Sequence, residues 1–90
     1  MRTGAQALAV LLPGTRRKLL ARLFADPRKA YYVRELTRLV RGSPGNVPRE
    51  LARLEAAGIL IRTKKGREVF YQADPASPVF AGLRALFRRG

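Results

Sequence analysis

The segment from Val47 to Ile61 leaves few architectures open to this chain. Val47, Leu51 and Leu54 recur at i, i+4 and i+7, the spacing of one buried helical face. Gly58 stands where such a helix takes a left-handed closing residue, and Ile59, Leu60 and Ile61 begin a strand with no linker between. Val69, Phe70 and Tyr71 lie in the return strand, which ends near Ala73. The two strands make a hairpin with Lys64, Lys65 and Arg67 at its tip, and Gly66 supplies the positive φ that a tight turn needs. A helix therefore feeds directly into a basic β-hairpin.

The rest of the chain supplies short helices around this unit. Ala5 to Leu12 reads as an apolar helix closed by Pro13 and Gly14. Thr15 reads as the N-cap of a helix from Arg16 to Phe24, with Leu19, Leu20, Leu23 and Phe24 as its buried stripe. Ala30 to Tyr32 reads as a short strand, and Val33 to Val40 as a two-turn helix with Val33, Leu36, Leu39 and Val40 on one side, stopped at Arg41-Gly42-Ser43. The next helix has two permitted starts. Ser43 can be its N-cap with Pro44 at the first position, or Asn46 can be the N-cap with Pro48 in the first turn. From either start it runs to Ala57. After the loop from Asp74, Ser77 caps a last helix with Pro78 at its first position and Val79, Phe80, Leu83, Leu86 and Phe87 on its apolar face. The expected fold is α+β and mainly helical: a single domain over residues 1–90, a helix-turn-helix followed by a basic hairpin, with 1–13 and 78–89 as flanking helices.

A formal net charge of +13, from 19 Lys and Arg against 6 Asp and Glu, repels itself in a folded chain of 90 residues. Nucleic acid is the polyanion that most commonly offsets such an excess. A hydrophobic fraction of 47% is that of a folded domain and too high for a disordered basic tail. The chain has no Cys and no His, which removes zinc fingers, nearly all transition-metal sites, thiolate chemistry and the commonest general base, and no metal or cofactor is expected. The acids are dispersed, with Glu50 and Glu55 at i and i+5, and Ser43 and Ser77 are read as caps. A binding protein is expected, not an enzyme. No run of 18 apolar residues exists to span a membrane. The N-terminal apolar stretch lacks the basic lead of an export signal, so the cytoplasm is the expected compartment.

On the helix ending at Ala57, Arg49, Ala52, Arg53 and Ala56 centre opposite the apolar stripe. Small alanines let a helix approach a groove closely. Arginine can fork onto guanine O6 and N7 or grip phosphate, and Asn46 can pair with adenine. The hairpin tip suits backbone phosphates or the minor groove, or else guards a sheet edge. Tyr31, Tyr32, Phe70 and Tyr71 are read as core and sheet residues.

The stretch Tyr32-Val33-Arg34-Glu35-Leu36-Thr37-Arg38, then Ser43 to Leu54, then Glu55-Ala56-Ala57-Gly58-Ile59-Leu60, then Gly66-Arg67-Glu68-Val69-Phe70-Tyr71 resembles the ArsR-like winged helix-turn-helix regulators. The similarity covers roughly Leu19 to Leu86. It implies a three-helix core with a β-wing, and a homodimer placing two recognition helices in successive major grooves of double-stranded DNA. The recognition helix would span about 44–57 and the wing about 62–69. Carried over by position, the DNA-facing residues would be Ser43, Asn46, Pro48, Arg49 and Arg53, with Lys64, Lys65 and Arg67 in the wing. The chain departs from metal-sensing members, which place Cys or His on their helices. Pro48 is also unusual so early in a recognition helix.

The terminal segments are apolar beyond what a three-helix core can bury, so Leu8, Leu11, Leu12, Val79, Phe80, Leu83 and Phe87 are the expected dimer interface. The alternative is that they fold back on their own core. The competing functional reading is a winged-helix interaction module docking an acidic protein partner, encoded nearby. RNA and membrane surfaces are weaker alternatives, because duplex RNA hides its major groove and no long helix shows a clean apolar face.

Overall fold

The computed structural model describes residues 14–88. The expected helix from Ala5 to Leu12, with Leu8, Leu11 and Leu12, lies outside them. The described elements are α1 (Gly14–Ala25), β1 (Tyr31–Tyr32), α2 (Val33–Leu39), α3 (Asn46–Ala56), β2 (Leu60–Lys65), β3 (Glu68–Ala73) and α4 (Phe80–Phe87). The result is an α+β fold, with helices packed around a three-stranded antiparallel sheet of order β1-β3-β2.

The core is the set of stripes expected from helical periodicity. Leu19, Leu23 and Phe24 of α1, Leu36 of α2, and Val47 and Leu51 of α3 are fully buried, with Leu20, Val40 and Leu54 nearly so. Tyr31 and Tyr71 close the core from the sheet, where they face each other across β1 and β3. Tyr32 and Phe70, the next pair in register, are half-buried on the opposite face and meet edge-on at 5.3 Å between ring centroids. The aromatics therefore belong to sheet and core, as expected.

Helix starts and stops show where local signals were misread. Thr15 sits inside the first turn of α1 and not before it, because α1 already includes Gly14. Ser77 does act as a cap, its Oγ accepting the Val79 N–H at 3.3 Å. Pro78 is nevertheless not the first residue of α4. The Phe80 N–H reaches the Ser77 carbonyl at 3.1 Å, so a tighter turn precedes the α-helical bonds that begin with Leu83 N–H to Val79 O.

Both helices bounding the middle of the chain close with the same paired bonds. At the end of α3, the Gly58 N–H donates to Glu55 O at 2.9 Å and the Ile59 N–H to Leu54 O at 2.9 Å, with Gly58 at φ 75°. At the end of α2, the Arg41 N–H donates to Arg38 O at 3.2 Å and the Gly42 N–H to Thr37 O at 3.0 Å, with Arg41 at φ 54°. The left-handed residue there is an arginine although a glycine stands next to it. The reason is steric. A Cβ on Gly42 would run into the Cγ2 of fully buried Val47, so the glycine is needed at the close approach of α2 to α3. Arg41→Gly is accordingly expected to stabilise the fold by about 1 kcal/mol, the usual cost of an L side chain in this region. Urea denaturation checks it, and no gain would mean that the Arg41 side chain makes a compensating contact.

Within the chain, α4 packs its apolar face toward α1. Phe80 lies against Phe24 at 5.8 Å between ring centroids, Leu83 packs on the core, and Phe87 is buried. Arg84 Nη1 donates to the Phe24 and Ala25 carbonyls at 3.1 and 3.4 Å, satisfying the free C-terminal end of α1. Phe87 is thus committed to its own core, while Phe80 and Leu83 pack on it and stay half-buried. Val79 remains 44% exposed, joined by Leu86 at 37%.

Candidate nucleic-acid interface

The outward face of α3 is the one that its apolar stripe dictates. With Val47, Leu51 and Leu54 turned inward, Pro48, Arg49, Ala52, Arg53 and Ala56 are exposed. Pro48 leaves no break, because the helical turn is established upstream of it. Ser43 Oγ accepts the Asn46 N–H at 3.0 Å, and the Ser43 carbonyl accepts the Val47 N–H at 3.1 Å. Ser43 therefore performs the capping, with Pro44 just inside, although the regular helix is counted from Asn46.

Asn46 is not the cap. It is half-buried, and its Nδ2 donates to Thr15 Oγ1 at 3.1 Å. The amide assigned to adenine reading is turned toward α1 and ties the start of α3 to that helix.

Glu50 is the residue that sequence reasoning missed. It sits on the inward side of α3, 6% exposed, and accepts the Arg16 Nε–H at 2.7 Å and Nη2–H at 3.4 Å. Arg53 Nη1 lies 3.6 Å from its other oxygen. Arg16 is 34 positions away in the chain, so only the charge itself, an acid on an otherwise apolar inner face, signalled it. The hydrogen bond from Arg16 holds the Glu50 carboxyl below its ordinary value of 4.5, against the opposing effect of burial. A depressed folded-state pKa contributes stability that is complete above the unfolded value and is lost as pH falls through the folded one. Stability is therefore expected to drop below about pH 4.5 in the wild type, and Glu50→Gln should flatten that acid limb. Thermal melts across pH 3 to 7 check it, and parallel curves would remove Glu50 from the account.

The hairpin closes on a two-residue turn, Gly66-Arg67, with Lys65 opposite Glu68. Gly66 alone of the two has positive φ, at 60°, the pattern of a turn with glycine first. Lys64 and Lys65 are the last residues of β2 and not part of the turn. As neighbours on a strand they face opposite sides, Lys64 paired with Val69 and Lys65 with Glu68. Lys65 Nζ stands 5.8 Å from the Phe70 ring centroid, while the guanidinium of Arg34, at the start of α2, stands 5.6 Å from the ring centroid of Tyr32 on β1. The paired rings of Tyr32 and Phe70 thus each have a cation beside them.

All of the basic residues singled out on α3 and the hairpin, Arg49, Arg53, Lys64, Lys65 and Arg67, are exposed, as are Ser43 and Pro48. Pro44, beside Ser43, and Arg67 border one cleft, so the entry to α3 and the hairpin turn are neighbours in space. Among the described residues no helix is long and apolar enough to cross a membrane. No protein-family model, curated protein or solved structure matches this chain.

Proposed function

We propose that this protein is a winged helix-turn-helix regulator of the ArsR-like kind that binds double-stranded DNA with sequence preference. α2 and α3 form the helix-turn-helix, α3 is the recognition helix, and the β2-β3 hairpin is the wing. The observation that supports this best is the exposed face of α3. It carries arginines among small residues, Arg49, Ala52, Arg53 and Ala56, on a helix anchored from behind by Thr15–Asn46 and Arg16–Glu50. Arginines held on a rigid helix present their forks to base edges at low entropic cost. The function is one of binding, in the cytoplasm, with no catalytic step assigned to any side chain.

The homodimer belongs to the same proposal. Two copies reading successive grooves would be checked by sedimentation equilibrium with and without DNA.

Selection from a random duplex library, with salt titration and a matched RNA duplex in parallel, tests the reading. Enrichment of a roughly palindromic DNA site with steep salt dependence is the expected result. Weak, unenriched binding would overturn it in favour of a module docking an acidic protein. Within the expected outcome, Lys65→Ala weakens all sequences alike and flattens the salt dependence by about one unit, because a wing lysine meets phosphate and not base. A loss confined to the enriched site would contradict that role.

A further inference from the structure

A cleft of about 730 Å³ opens between α2, the turn into α3 and the hairpin. Arg34, Arg38, Arg41 and Arg67 line it, against a single acid, Glu68. Tyr32, Val33, Val69 and Pro44 give it apolar walls. None of the ion pairs among the described residues involves any of these arginines. The size falls within the range of small-ligand sites, and the lining joins an apolar surface to several charged donors, the combination that such sites use. Guanidinium forks match phosphate oxygens in geometry as well as charge.

A second observation bears on the same place. Arg41 holds a left-handed backbone, at φ 54°, and stands at the edge of the cleft, between it and a second depression lined by Lys18 and Arg22. Glycine would relax that backbone, so the chain carries a guanidinium at a position where it costs stability. Strain kept at the lip of a charged cleft suggests a binding role.

We infer that this cleft is a binding site for a small phosphorylated molecule of nucleotide size, its phosphates held by Arg38, Arg41 and Arg67 and its body resting on Tyr32, Val33 and Val69. The site does not depend on the DNA reading. Its consequence for regulation does, since Pro44 and Arg67 border both the cleft and the proposed DNA surface, and a ligand there would compete with DNA.

The test is a nitrogen-15 NMR titration of the full chain with inorganic pyrophosphate and, separately, with ADP, at physiological salt and without DNA. Saturable shifts are expected at the arginine Nε–H signals of Arg34, Arg38, Arg41 and Arg67 and at the amides of Val33, Thr37 and Val69. Arg41→Gly is the informative variant, because it should bind pyrophosphate at least about fivefold more weakly while being more stable, which a structural role alone would not produce. Arg28→Gln with Arg62→Gln removes two exposed charges that do not line this cleft and should leave the affinity within about twofold. Shifts spread over Arg28, Lys29 and Arg62, or an equal loss in that control, would reduce the effect to diffuse attraction and overturn the site. Shifts of the same signals by duplex DNA but by neither small probe would make the cleft a backbone contact, overturning the site while leaving the DNA reading intact. Binding of the small probes without any DNA binding would sustain the site and sink the DNA reading.

Discussion

Phe24→Ala is expected to destabilise the protein by about 3–5 kcal/mol, the cost of removing a fully buried aromatic ring that the surroundings cannot refill. Phe24 has no exposed surface, and its ring meets Phe80 of α4 at 5.8 Å. Total stability for a domain of 90 residues is roughly 4–13 kcal/mol, so this one change removes a large share of it. The effect is also directional. Arg84 still reaches the carbonyls of Phe24 and Ala25 in the variant, because those bonds are to backbone. What is lost is the apolar seat of α4, and α4 should detach before the rest unfolds. Urea denaturation followed by circular dichroism gives the magnitude, and hydrogen exchange at α4 amides gives the order of events. A loss below about 1 kcal/mol, in the range of ordinary surface substitutions, would mean that α4 does not rest on α1 as described.

Arg49→Ala and Arg53→Ala are each expected to cost about 1–3 kcal/mol of affinity for the enriched DNA site, or roughly 5- to 150-fold. The two should not be equal. Arg53 lies 3.6 Å from a Glu50 oxygen, which offsets part of its charge and fixes part of its fork, whereas Arg49 has no ion-pair partner among the described residues. Arg49→Ala should therefore be the larger loss. Fluorescence anisotropy on the enriched site and on a scrambled duplex separates base reading from phosphate gripping. Equal losses on both duplexes would show that neither arginine reads a base.

Much of the fold was legible because its signals are local. Leu19, Leu20, Leu23 and Phe24 share one helical face, and all four are buried. Val47, Leu51 and Leu54 do the same on α3, with Gly58 stopping the helix and Gly66 turning the hairpin. What could not be read depends on contacts between distant segments. Periodicity tells which side of α4 is apolar but not what it meets: Phe87 is buried in the chain's own core, and Phe80 and Leu83 pack against it half-buried. A cap-forming side chain also suits other partners. Asn46 could begin a helix by its type, yet Ser43 performs that task and frees the Asn46 amide for Thr15, 31 positions away. The charge excess pointed to a polyanion, but it could not separate the arginines on the outer face of α3 from Arg16, which is committed to a buried carboxylate. Nor could it group Arg34, Arg38 and Arg41 with Arg67, which line one cleft only because β1 pairs with β3 and leads straight into α2.

Ile59 gives α3 and the hairpin a common mechanical fate. Its N–H is held by Leu54 O at 2.9 Å inside the helix, and its carbonyl holds the Asp74 N–H at 3.0 Å beyond the far strand. The one permissive residue between the two elements, Gly58, is itself pinned to Glu55 O at 2.9 Å. There is no slack at this joint, so helix and hairpin behave as one rigid gauge whose pitch is set during folding. A flexible polymer that touches both must bend or twist to suit that gauge. On the proposed DNA-binding reading, the energy of that bend would be a filter on the duplex's stiffness, able to sort sequences at positions that no side chain contacts.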